Sequence, residues 1–179
     1  MALKATVFRA QVQISDMDRH YYESHTLTLA RHPSETDERM MVRLLAFALH
    51  ADPQLTFTKG LSADDEPDLW QRSLGGEIER WIEVGQPDER RLRKASGRAR
   101  EVTVITYAGR AADLWWQHNS AALERLRNLR IIDLSSDESQ ALSRLAERSM
   151  DLQCTIDGGE VWIGNGRETV GLIPRLRQV

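Results

Sequence analysis

Sulfur chemistry is nearly missing from this chain. Cys154 is the only cysteine in 179 residues, which excludes an internal disulfide and a zinc site built on cysteines. Lysine is scarce, occurring at positions 4, 59 and 94, so most of the 24 basic residues are arginine. Neither sign of charge dominates. With 27 acidic residues the net charge is −3, which rules out a basic footprint over the whole molecule and leaves a local one open. Long apolar runs are absent; the longest, Leu44 to Leu49, is far too short to cross a bilayer. Met1-Ala2-Leu3-Lys4 carries no signal-peptide apolar block. There is no internal repeat, no Gly-rich phosphate loop of Walker or dinucleotide type, and no HExxH-like spacing among the five histidines. What remains is ordinary globular composition, 41% hydrophobic and 28% charged. Gly and Pro act as scattered punctuation and mark no linker. The expectation is one domain over residues 1–179, cytoplasmic and without a membrane partner.

The apolar periodicity then orders the elements. Residues 3–14 alternate with a phase change near Val7, which predicts a bulge or a sheet-switching strand. Tyr21, His25, Leu27 and Leu29 alternate again, so an N-terminal hairpin is expected. Ser34 followed by Asp37 resembles a capping box for a helix with the stripe Met41, Leu44, Leu45 and Ala48. Strands are predicted at 55–58, 68–73, 78–84, 102–107 and 129–134. Helices are predicted over 88–99, around Trp115 and Trp116, and from Ser136 through a stripe of Leu142, Leu145 and Met150. Strands 152–156 and 160–163 close the chain as a hairpin about Asp157-Gly158-Gly159. The central order is helix, three strands, helix, strand, helix, strand. This predicts an α/β (α+β mixed) fold with a mixed sheet flanked by helices.

The segment around Gly75-Gly76 carries the most chemistry. If these glycines form a two-residue turn, opposed residues have numbers summing to 151. Asp68 then faces Glu83, Trp70 faces Trp81 and Arg72 faces Glu79 on one surface, while Leu69 meets Ile82 on the other. Two carboxylates side by side need compensation. Mg²⁺ could supply it, since hard divalent cations take carboxylate oxygens; protonation of one acid, or neighbouring arginines, could supply it equally.

Pro67-Asp68, fourteen residues, then Glu83-Val84-Gly85 resembles the proline–aspartate … acid–x–lysine signature of restriction-endonuclease-like nucleases. The order of elements around it resembles that superfamily's core, here at about 34–134. From Ala2-Leu3-Lys4-Ala5-Thr6 through His32-Pro33-Ser34-Glu35-Thr36-Asp37-Glu38-Arg39 and Gly85-Gln86-Pro87-Asp88-Glu89 to Leu152-Gln153-Cys154-Thr155, the chain closely resembles the bacterial YaeQ family. The resemblance implies a variant nuclease-like fold with Asp68 and Glu83 as metal and catalytic acids. It implies no established activity, and only a loose link to transcription control.

Gly85 stands where the nuclease signature has lysine, and glycine cannot position an attacking water with a side chain. Lys94, on the helix after Glu83, could take that role, or could lie on a solvated face. Arg91, Lys94 and Arg98 form one stripe of that helix, and six of the eleven residues from Arg90 to Arg100 are basic. Arg91 and Arg98 are therefore candidate phosphate-binding residues. The same charges could instead balance the acidic loop Asp64-Asp65-Glu66. Glu38, on the first core helix, reads best as first-turn dipole chemistry. Asp16, Asp18 and His20 read as hydrogen-bonding turn residues before metal ligands. Trp70 and Trp81 read as a cross-strand pair before a base-stacking platform, and Trp115-Trp116 as core. Two functions follow: metal-dependent phosphodiester hydrolysis, or a catalytically silent nuclease-like module that binds nucleic acid or a protein partner.

Overall fold

A computed structural model describes residues 4–59 and 65–177. The chain forms two compact units. One runs to Leu49 and includes Asp137–Pro174; the other comprises His50–Ser136 and a segment from Arg175.

The first unit is built on the N-terminal hairpin, β1 (Thr6–Asp16) and β2 (Tyr21–Arg31). The phase change expected near Val7 does not occur. Val7 is 45% exposed, and Phe8, Ala10, Val12 and Ile14 bury one unbroken face. The reason is pairing on both sides. β2 holds β1 antiparallel, and β8 (Ser149–Asp157) holds it parallel from Arg9 onward, both in continuous register. The sheet order is β10-β9-β8-β1-β2, with β9 at Glu160–Gly164 and β10 at Thr169–Leu172. Gly158 and Gly159 make the β8–β9 turn with φ of +61° and +78°, the left-handed pair that a two-residue hairpin requires. Asp18 secures this turn: its two carboxylate oxygens accept from the N–H groups of Gly158 and Gly159 at 2.8 and 2.9 Å. Asp16 accepts from Arg19, so both turn aspartates serve as hydrogen-bond acceptors. Met150, expected on the last helix, lies in β8 because that helix, α4 (Ser136–Ser143), ends seven residues earlier.

In the same unit, α1 (Asp37–Leu49) is buried continuously from Met40 to Ala48. Its N-cap is Thr36, whose Oγ1 accepts from Arg39 N–H at 3.1 Å; Ser34 bonds to His32 instead. Arg43 is buried with the helix and its charge is matched by Glu35, which accepts from Nε at 2.9 Å and from Nη2 at 2.6 Å.

The second unit is a six-stranded sheet of order β11-β7-β6-β5-β4-β3. Its strands are β3 (Leu55–Phe57), β4 (Leu69–Arg72), β5 (Ile78–Val84), β6 (Ala99–Thr106), β7 (Leu129–Asp133) and β11 (Arg175–Arg177). β5, β6 and β7 are parallel, joined by α2 (Glu89–Arg98) and α3 (Arg110–Leu123), and the remaining pairings are antiparallel. The predicted mixed sheet and central order are therefore present. Leu92 and Ala95 of α2 and Leu123 of α3 pack with Trp81, Val102, Val104, Leu129 and Ile131 from the sheet. Trp115 and Trp116 pack at the margin of this core.

The central hairpin keeps the expected partners by a different route. Trp70 pairs with Trp81 and Leu69 with Ile82. The connection, however, is a three-residue loop. Ser73 N–H donates to Glu77 O, Gly76 N–H donates to Ser73 O, and Gly76 takes φ +87°. A bulge beside Arg72 absorbs the offset, so Arg72 faces Ile78 and not Glu79. The extra residue in the loop and the extra residue in the strand cancel, which restores the core register.

Candidate functional site

Glu83 lies two residues beyond Trp81 on β5 and therefore shares its face, towards α2. The local sequence fixes α2 there: Asp88 caps it, accepting from Arg91 N–H at 2.8 Å, and Leu92 and Ala95 bury its inner side. One turn above the cap, the Arg91 side chain returns to the strand. Its Nε donates to Glu83 Oε1 at 2.5 Å, and its Nη2 donates to the Glu66 carbonyl at 2.5 Å. Trp81 Nε1 donates to the same Glu83 oxygen at 2.9 Å. Burial pushes the Glu83 carboxyl above its ordinary range. The Arg91 charge and the two hydrogen bonds oppose that push, and the nearby Asp68 charge adds to it.

Asp68 is just outside the β4–β5 ladder. Its N–H donates to Ile82 O at 3.0 Å, and its Oδ2 accepts from Val84 N–H at 2.8 Å. The two acids are thus buried neighbours, 5% and 3% exposed, but each has a partner set of its own. Strict cross-strand opposition fails because the chain leaves the ladder before Leu69.

These placements test the expected metal. Carboxylate oxygens are the right donors for Mg²⁺. Yet Glu83 Oε1 already accepts two N–H groups, one from a guanidinium, and Asp68 Oδ2 supports the β5 backbone. Among the described residues no group of three or more His, Cys, Asp or Glu is assembled for a metal. A cation at Glu83 would stand against Arg91. The residues as placed do not fit a resident divalent ion, and arginine supplies the compensation.

The backbone at Gly85 calls for glycine. Its φ is +107°, a conformation that side-chain-bearing residues rarely adopt, and its N–H donates to Ile105 O at 2.9 Å. Lys94 is exposed, and its ammonium makes no hydrogen bond or ion pair among the described residues. It lines a depression of about 860 Å³ with Arg90, Arg91, Arg93 and Arg98, five cations against the two carboxylates Asp65 and Asp88. The guanidinium carbon of Arg98 lies over the Trp81 ring, 5.1 Å from its centroid, and its Nη1 donates to Asp65 O at 2.9 Å. Asp64, which the sequence grouped with this acidic loop, is outside the described residues. Glu38 belongs to the first unit, where it accepts from Ser139 Oγ at 3.1 Å.

The sequence allows neighbouring arginines to compensate the two acids but does not single out Arg91 as the partner of Glu83. Helical spacing groups Arg91 with the candidate phosphate-binding stripe, although its position three residues after the capping Asp88 puts it on the first turn, nearest the end of β5.

A family model described as YaeQ protein matches residues 1–174. The chain belongs to the YaeQ family. It is 47% identical over 170 residues to the Escherichia coli (strain K12) relative, covering 95% of this chain and 94% of that one. The Salmonella typhi relative is 46% identical with the same coverage. Both carry the description "Uncharacterized protein YaeQ". The crystal structure of YaeQ protein from Xanthomonas axonopodis pv. citri matches with a TM-score of 0.94 at 55% identity, covering 98% of this chain and 99% of that one. The Pseudomonas syringae YaeQ structure matches with 0.93 at 35% identity, covering 98% and 97%. Family membership thus extends over both compact units. No helix among the described residues is long and apolar enough to cross a membrane.

Proposed function

We propose that this protein is a variant of the restriction-endonuclease-like fold that binds the phosphate backbone of nucleic acid along α2 without a resident metal. The observation that carries the reading is the Arg91–Glu83 pair beside an open cationic depression. A phosphodiesterase of this type needs its acids free to hold a cation. Here one acid is spent on a guanidinium, while Lys94 and Arg98 face the depression. Backbone binding by clustered cations releases counterions, so it weakens steeply with salt.

The test is a salt series on single- and double-stranded DNA and RNA. Binding should weaken steeply as salt rises, and Lys94→Ala or Arg98→Ala should flatten the slope by about one charge each. Salt-independent or absent binding overturns the nucleic-acid reading and leaves a protein partner. The competing reading is metal-dependent phosphodiester hydrolysis by Asp68, Glu83 and Lys94. It rests on the adjacency of the two acids and requires Arg91 to leave Glu83. Cleavage with Mg²⁺ that disappears in Asp68→Ala/Glu83→Ala would establish it in place of ours.

A further inference from the structure

We infer that the ligand of this surface is a single-stranded nucleic acid whose bases stack on arginine planes. The inference rests on the backbone-binding reading and narrows it. Two depressions meet at Arg98. One is the α2 depression of about 860 Å³; the other, of about 680 Å³, is lined by Trp70, Arg72, Glu79, Arg98 and Arg100 among others. Each has the volume of a small-ligand site. Together they make one track from the helix α2 onto the β4–β5 hairpin.

The track repeats one device. Arg98 lies over Trp81 at 5.1 Å, and Arg72 lies over Trp70 at 5.2 Å. The two indoles are cross-strand partners, edge to face at 6.3 Å, so the two cation–π pairs are neighbours. Each guanidinium is also tied down: Arg98 donates to Asp65 O at 2.9 Å, and Arg72 Nη2 donates to Gly76 O at 3.2 Å. Trp81 is only 2% exposed, so no base can reach its ring. What a ligand meets is the guanidinium, exposed at both Arg72 and Arg98. A planar cation fixed over a ring and by a hydrogen bond offers a base both stacking and charge, and unpaired bases are the ligands with free faces to use it. Paired bases keep their faces inside the duplex. A duplex would meet only the charges.

The experiment compares a homopyrimidine single strand, as DNA and as RNA, with a duplex of equal length, using the full chain at fixed salt. The single strand should bind at least tenfold more tightly than the duplex. Arg98→Lys keeps the charge and removes the plane. It should lower single-strand affinity about tenfold, leave the salt slope unchanged, and hardly alter duplex binding. Arg72→Lys should act in the same direction, which protects the test should one variant fold poorly. Equal binding of duplex and single strand, or a neutral Arg98→Lys, overturns this inference while leaving backbone binding intact. No binding of either overturns both. The DNA and RNA arms distinguish the source of the strand.

Discussion

The Nε of Arg91 and the indole N–H of Trp81 converge on Glu83, but it is the Arg91–Glu83 contact, 2.5 Å long, that ties the first turn of α2 to β5. The carboxylate is 4% exposed and the guanidinium 28%. Removing the cation leaves a buried anion; removing the anion leaves a cation that can still reach water. The two truncations are therefore unequal.

Arg91→Ala should destabilise the protein by about 2–3 kcal/mol at neutral pH, less than a fully buried pair because Arg91 is partly solvated. Glu83→Gln should cost less, since the amide oxygen still accepts from Trp81 and Arg91. Urea midpoints for the two single variants and the double variant give the coupling.

The raised pKa of Glu83 sets a pH dependence. Folding favours the protonated acid relative to the unfolded chain, whose ordinary value is 4.5. The stability of the wild type minus that of Glu83→Gln should be greatest below that value. It should fall as pH rises through the folded pKa, then level off. Arg91→Ala should shift the fall to higher pH. Denaturation curves over a pH series read this directly, and a difference that rises with pH would contradict the assignment.

Gly85→Ala should cost about 1–2 kcal/mol from backbone strain alone. The added methyl would meet nothing within 4 Å, so crowding is not the cause. Asn, which tolerates positive φ better, should cost less at this position. Chemical denaturation of the two variants separates strain from packing.

Glu35 and Arg43 are buried together, with side chains 2% and 5% exposed. Glu35→Ala should destabilise by about 3–5 kcal/mol because it strands the guanidinium. Replacing both with leucine and methionine should recover much of that loss. Thermal or urea unfolding of the three proteins tests the order.

Cys154 is 1% exposed, and burial, with the Asp16 charge adding, pushes its thiol up to about 12. The native protein should resist thiol reagents at neutral pH. Labelling should occur only on unfolding, at a rate that follows the opening of the first unit.

Much of this architecture was legible because it is local. Trp70, Trp81, Leu69 and Ile82 announce their pairing through a period of two about a glycine turn, and the start of α2 through Asp88. The alternation at 152–156 and 160–163 announces the β8–β9 hairpin. Arg72 escaped because a bulge leaves no mark in an alternation whose core register it preserves. The short strands β10 and β11 escaped because three or four residues hold too little periodicity; β11 is recognised only by β7.

By itself, then, the chain's pattern of apolar residues determined the order of elements, the mixed sheet and the gathering of cations on α2. Only the tertiary structure decided that Arg91 reaches Glu83, that Asp68 serves the Val84 backbone, and that Asp18 holds a turn 140 residues away. The physical reason is range. Periodicity reports which face a residue occupies within its own element. The partner of a buried charge depends on which other element arrives there, at a distance along the chain that no period records.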